Sequence, residues 1–263
     1  MVFILGALCV HQMFLTLHGH RLFIQTEGKG FPVVLLHHGL GSSAAWRRQI
    51  PPLVGAGYRV IAYDRWGYGR SEERERLHVP DFAPDVDDLQ AMLDHFGIEQ
   101  AALVGHSDGG TIALYCAAQC KRRVAALITL AAHVYVEPKM HVGMEALLRE
   151  YEQSEKFRAA LNRVHNGRGA RVFRMWYEGW HNPAVLSWDA RPKLREIAAP
   201  ALVVQGTDDE YATPKHAADT AAAIPNAELL LLQGEKHMAL NEQFTSKTVN
   251  FLQKHLANPH ANL

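Results

Sequence analysis

The stretch "ALVGHSDGGTIALY", residues 102–115, holds Ser107 between Gly105 and Gly109, with a further glycine at Gly110. An apolar run ends here and a helical run of small residues begins. A serine at the tip of a sharp strand-to-helix turn needs unusual backbone angles, and side chains two positions to either side would collide as the chain doubles back. Gly105 and Gly109 remove those side chains. The turn then presents the Ser107 hydroxyl above the end of the strand. The first N–H groups of the helix, at the positive end of its dipole, aim at the same space.

A serine hydroxyl is a weak nucleophile at neutral pH, so it needs a base, and the base needs a partner that fixes its tautomer. On a parallel sheet the acid is expected after a late strand and the histidine after the last one. "PALVVQGTDDEYA", residues 200–212, supplies acids just beyond an apolar run. Asp209 is preferred to Asp208 because the acid of such sites stands three positions after the glycine that ends the strand, here Gly206. Asp208 then caps the turn or is solvated. "AELLLLQGEKHMALNEQ", residues 227–243, places His237 beyond the next run. Acyl transfer also needs donors for the developing oxyanion. "VVLLHHGLGSS", residues 33–43, ends an early run in glycines, and the backbone N–H groups of Leu40 and Asp108 are the expected pair. No G-x-x-x-x-G-K-[ST] follows, so these glycines do not read as a phosphate cradle.

Seven apolar runs punctuate the chain: "RLFIQTEG", "FPVVLLHHG", "YRVIAYDR", "AALVGHS", "VAALITLAA", "PALVVQG" and "AELLLLQG". Most lack clean alternation, which fits strands buried on both faces of a mostly parallel sheet. Helical stretches lie between them, "SAAWRRQIPPLVGAG", "FAPDVDDLQAMLDHFG" ending at Gly97, "GGTIALYCAAQCKRR" and the closing "NEQFTSKTVNFLQKHL". The expectation is an α/β fold, a mostly parallel sheet flanked by helices. The alternation breaks over residues 133–195, where "GMEALLREYEQSEKFRAALNRVH" has helical periodicity and an aromatic segment with Trp176, Tyr177, Trp180 and Trp188 follows. This reads as a helical cap or lid inserted into a core made of residues 1–132 and 196–263.

Composition narrows the function. Lys plus Arg and Asp plus Glu both total 27 among 263 residues, so no overall field attracts nucleic acid or an anionic membrane. Three cysteines cannot build a disulfide framework, which suits a reducing, cytoplasmic setting. The sixteen histidines are scattered, with no H-E-x-x-H and no Cys-x-x-Cys, so no metal site is expected. The apolar start "MVFILGALCV" is too short to span a bilayer and lacks a signal's basic start and cleavage site. It reads as an extra strand, a membrane-associating stub, or sequence ahead of a true start at Met13.

"HHGLGSSAAW", "YDRWGYGRS", "LVGHSDGG", "VVQGTDDEY" and "GEKHMAL" occur in the order found in enzymes of the α/β-hydrolase fold, and the sequence resembles them over most of its length outside the insertion. "SDGG", "AAHVYVEP" and "GEKH" are similar to amino-acid ester hydrolases of the valacyclovir hydrolase type. The same segments resemble pimeloyl-carrier methyl esterases and the carbon-carbon bond hydrolases of aromatic ring cleavage. Haloalkane dehalogenases and epoxide hydrolases look alike but use an aspartate where this chain has Ser107. The resemblance implies a serine hydrolase of small carboxylic esters with a Ser107, Asp209, His237 triad, no cofactor, and no nucleic-acid or obligatory membrane partner. Amidase, amino-acid ester and carbon-carbon bond cleavage remain alternatives, as does a slow-turnover ligand receptor of the same fold. Arg65 and Asp64 are expected to pair locally. Trp176 and Trp180 either line an acyl pocket or pack inside the lid. The Asp108 carboxylate either favours the positive helix end or reaches the pocket to bind a substrate ammonium.

Overall fold

The computed structural model describes residues 10–256, so most of the apolar N-terminal segment lies outside the described residues. Among those described, eight strands form one sheet: β1 (His11–Leu17), β2 (His20–Glu27), β3 (Pro32–Leu36), β4 (Arg59–Asp64), β5 (Ala101–His106), β6 (Val124–Leu130), β7 (Ala201–Gly206) and β8 (Ala227–Leu232). Their order is β1-β2-β4-β3-β5-β6-β7-β8. β2 runs antiparallel to β1 and to β4, and every later pairing is parallel.

The seven apolar runs are β2 to β8; β1 is additional. It joins β2 through a two-residue turn, His18 and Gly19, with φ of 48° and 86°. Such turns match the twist of a hairpin. Met13 lies inside β1, paired with Ile24.

The poor polar alternation has a direct cause, since both sheet faces are covered. Val34, Leu36, Ile61 and Leu103 enter one core with α2 (Ala83–His95) and α3 (Asp108–Gln119). Val33, Leu35, Val60 and Val104 enter the other with α1 (Ile50–Gly55) and the last helix, Glu242–His255. All six residues of β5 are buried. β3 and β5 are neighbours, yet the helices that follow them lie on opposite faces. The chain therefore parts at their carboxyl ends and leaves a crevice there, where ligands of open α/β sheets bind.

Between β6 and β7 the chain makes a helical insertion of α4 (Pro138–Gln153), α5 (Glu155–Val164) and α6 (Gly169–Trp180), followed by the short α7 (Arg191–Leu194). The periodic stretch is divided at Ser154, whose hydroxyl accepts the Phe157 N–H at 3.1 Å and caps α5. A bridge between Tyr135 and Asp189 brings the two ends of the excursion together. The remaining helices are α8 (Pro214–Ala223) and α9, the Glu242–His255 helix already named. No described helix is long and apolar enough to cross a membrane.

The glycines of the opening stretch permit backbone-to-backbone contact. A Cβ on Gly105 would strike the Gly109 carbonyl, and one on Gly109 would strike the carbonyls of Leu36 and His37 at the end of β3. Gly109 thus seats the first turn of α3 directly on the neighbouring strand. Gly105→Ala is expected to lower the unfolding free energy by about 1–3 kcal/mol through overpacking. Gly55→Ala, at an exposed helical position with open space around its Cβ, is expected to raise it by about 0.5–1 kcal/mol. Urea unfolding of the two variants checks the contrast, and equal effects would contradict it.

Candidate active site

Ser107 occupies the tip of the turn from β5 to α3 with φ 55° and ψ −121°, a conformation few non-glycine residues adopt. Such strain amounts to about 1–3 kcal/mol and persists only where the surroundings hold it. Here the Ser107 N–H donates to the Leu130 carbonyl at 2.8 Å and its carbonyl accepts from the Thr111 N–H at 3.0 Å.

His237, in the connection from β8 to α9, reaches the Ser107 Oγ with its Nε2 at 3.0 Å and the Asp209 Oδ2 with its Nδ1 at 2.9 Å. Residues 130 and 28 positions away in sequence thereby meet on one imidazole. Asp209, just beyond β7, is fully buried, and its other oxygen accepts the N–H groups of Tyr211 at 2.8 Å and Ala212 at 3.3 Å. Burial alone would raise its pKa, but the hydrogen bond and charge of His237, the nearby His133 and the Tyr211 N–H together hold the carboxyl below its ordinary value. Asp208 is exposed and touches the hydroxyl of Thr207. The Nδ1 contact fixes the tautomer in which Nε2 is free to accept a proton from Ser107.

The Asp108 N–H opens α3 and has no partner within the helix. Leu40 stands across the crevice after β3, its N–H held only loosely by His38 Nδ1 at 3.4 Å. Both residues line a cavity of about 540 Å³ together with Ser107, His133, Leu147, Leu161, Trp176 and Trp180. Trp176 and Trp180 of α6 are 7% and 2% exposed, so they belong to the packed insertion and to the cavity wall at once. Gly39 is needed because the Trp176 ring and the Asp108 carboxylate occupy the place of its Cβ.

Arg65 does not pair with Asp64, contrary to the local pairing expected from sequence. Asp64 instead accepts the N–H groups of Ser43 and Arg70, each at 2.7 Å. Arg65 is completely buried and turns to Asp85 at 3.3 Å and Asp108 at 3.4 Å, while Arg74 takes the other oxygen of Asp85 at 2.6 Å. Desolvation forbids leaving a buried guanidinium beside a carboxylate whose oxygens the backbone has already taken. The second oxygen of Asp108 accepts the Trp180 indole N–H at 3.2 Å. Its carboxylate is therefore held by one cation and one indole, beyond a plain helix-end role.

A family described as "alpha/beta hydrolase fold" matches residues 32–193. The chain belongs to the α/β-hydrolase family. Among curated relatives of this α/β-hydrolase, a non-heme chloroperoxidase from Streptomyces lividans is 33% identical over 86% of the chain and 92% of its own length. A 2-hydroxy-6-oxo-6-phenylhexa-2,4-dienoate hydrolase from Burkholderia cepacia is 29% identical over 90% and 92% respectively. The crystal structure of an enol-lactonase from Burkholderia xenovorans superposes with a TM-score of 0.73 at 24% identity, covering 91% of this chain and 99% of its own. At that identity the likeness shows the fold alone.

Sequence reasoning did not find the histidines around the site. The rings of His106 and His133 lie 5.3 and 5.8 Å from that of His237, and His38 lies 5.1 Å from His106. Burial, with His237 and other cationic neighbours beside them, drives His38 and His133 down to about 3 and His106 well below its ordinary value, so all three are neutral near pH 7. None opposes a positive charge on His237. In H-H-G-L-G the glycines, not His38, drew the reading, and nothing in "LAAHVYV" distinguishes His133.

His133 binds a proton below about pH 6.5 when unfolded and only near pH 3 when folded. Its contribution to stability is complete above that upper value and is lost as the pH falls through the window. His133→Gln should flatten the dependence of unfolding free energy on pH between about 6 and 4.5 by up to about 1.4 kcal/mol per pH unit. Urea titrations at several pH values test this, and an unchanged slope would mean that the folded state already carries the proton.

Proposed function

We propose that this protein hydrolyses carboxylic esters of small molecules through an acyl-enzyme intermediate. The observation that carries the reading is the hydrogen-bonded line Ser107, His237, Asp209 opening onto an apolar-walled cavity. His237 takes the Ser107 proton as the hydroxyl attacks the carbonyl, and the N–H groups of Leu40 and Asp108 hold the oxyanion. Protonation of the leaving alcohol by His237 gives the acyl-enzyme. Water, deprotonated by His237, then releases the acid. Asp209 holds the tautomer and stabilises the imidazolium. Trp176 and Trp180 bound the acyl group, in a cap taken as residues 133–195.

The Burkholderia cepacia relative, a dienoate hydrolase, favours carbon-carbon bond cleavage as the second reading. A carboxylate substrate of that kind calls for a free cation inside the pocket. The buried Arg65 beside the elbow is committed to Asp85 and Asp108, and the lysine of the cavity lining, Lys236, has its ammonium 3.7 Å from Glu210. The Arg65 pairing also weakens the amino-acid ester reading, because the Asp108 carboxylate is already neutralised. A neutral acyl chain fits both observations.

A fluorophosphonate is expected to label Ser107, and Ser107→Ala to abolish labelling and ester turnover; an adduct on Ser42 or Ser71 would overturn the assignment. Asp209→Asn should lower kcat by about 10⁴-fold, whereas Asp208→Asn stays near wild type. Turnover must exceed one equivalent per chain, since a receptor would stall there. On matched substrates, a 3-phenylpropionate ester should be hydrolysed at least as fast as the phenylalanine ester. A marked preference for the amino ester would restore Asp108 as an ammonium site.

A further inference from the structure

His237 sits in a connection, and among the described residues neither of its main-chain polar groups has a backbone partner. Both are held by side chains adjacent in sequence to the residues its ring touches. The carbonyl accepts from Nε2 of His106, the residue before Ser107, at 2.9 Å. The N–H donates to Oε2 of Glu210, the residue after Asp209, also at 2.9 Å. We propose that His106 and Glu210 are positioning residues that clamp the His237 main chain, so that its imidazole meets Ser107 and Asp209 simultaneously. The inference rests on the assignment of His237 as the base of Ser107.

The chemistry of His106 argues against a filler role. It is completely buried, and because a carbonyl only accepts, its single proton stands on Nε2. Its Nδ1 has no partner, a desolvation penalty that an apolar side chain of similar volume would avoid. The ring's polar function is thus directed wholly to the His237 carbonyl. Glu210 acts from the opposite side at the cavity mouth, where its other oxygen lies 3.7 Å from the ammonium of Lys236.

Two further contacts hold the connection without reaching His237. The Asp208 N–H binds the Glu235 carbonyl at 2.9 Å, and Gly206 lets the Glu235 and Lys236 carbonyls pack against the end of β7. These fix the chain up to position 236. The hydrogen bonds to the His237 main chain itself come from the two side chains. A misplacement of about 1 Å at a reacting group can cost 100-fold in rate, so the clamp acts on kcat more than on substrate binding.

The test compares paired variants on one small activated ester. His106→Gln keeps a donor near the Nε2 position and His106→Met does not; Glu210→Gln keeps an acceptor and Glu210→Ala does not. His106→Met and Glu210→Ala should lower kcat by about 10-fold or more with KM within about 2-fold, and each glutamine should restore kcat to within about 3-fold of wild type. Fluorophosphonate labelling rates should fall and recover in parallel. Wild-type kcat in Glu210→Ala, or His106→Gln no faster than His106→Met, would overturn the clamp. If His106→Met does not fold, the half-exposed Glu210 pair and His106→Gln decide by the same criteria. Failure of the wild type to turn over the ester or label at Ser107 would overturn the triad assignment, and the clamp with it, so the two failures are distinct.

Discussion

A helix can begin against the end of a neighbouring strand only if no side chain stands between the two backbones, and that constraint governs this molecule. Gly109 rests on the carbonyls of Leu36 and His37, and Gly105 rests on Gly109. This contact sets α3 across β3 and β5, imposes the strained angles on Ser107, and brings the Asp108 N–H opposite Leu40. Gly206 repeats the device under the His237 connection, where the chain passes over the end of β7. The insertion can then close over the crevice from above.

The second support is electrostatic. Arg65, Arg74, Asp85 and Asp108 are all at most 2% exposed and their charges balance. Removing one member of such a buried set strands its partners and costs about 3–5 kcal/mol, although an apolar set of equal shape is often as stable. The set therefore works through geometry. It ties the residue after Ser107 to α2 and, through Trp180, to the insertion, so that elbow and insertion share one frame.

The sequence carries these features unevenly. The elbow is legible because glycine spacing is a local property, and Asp209 and His237 are legible because each follows the end of an apolar strand. β1 escapes notice because five of its seven residues are exposed, and only the His18-Gly19 turn marks it. Arg65 is misread because its partners lie 20 and 43 positions away, while its sequence neighbour Asp64 is already taken by backbone donors. His106 is the hardest to read. Its partner is a main-chain carbonyl 131 residues distant, and a carbonyl has no letter in the sequence.

The strand order also separates the site's parts along the chain. Everything that shapes the elbow, β3, β5, α3 and β6, lies within the first half of the chain, whereas Asp209 and His237 arrive with β7 and β8, after the whole insertion. A domain folds as a unit, so the serine turn and its partners are brought together as one sheet is completed. His237 is brought beside the Ser107 hydroxyl only when β8 docks beside β7. The contact between Ser107 and His237 thus depends on the last parallel pairing of the sheet, and a chain cut short of β8 would lack it.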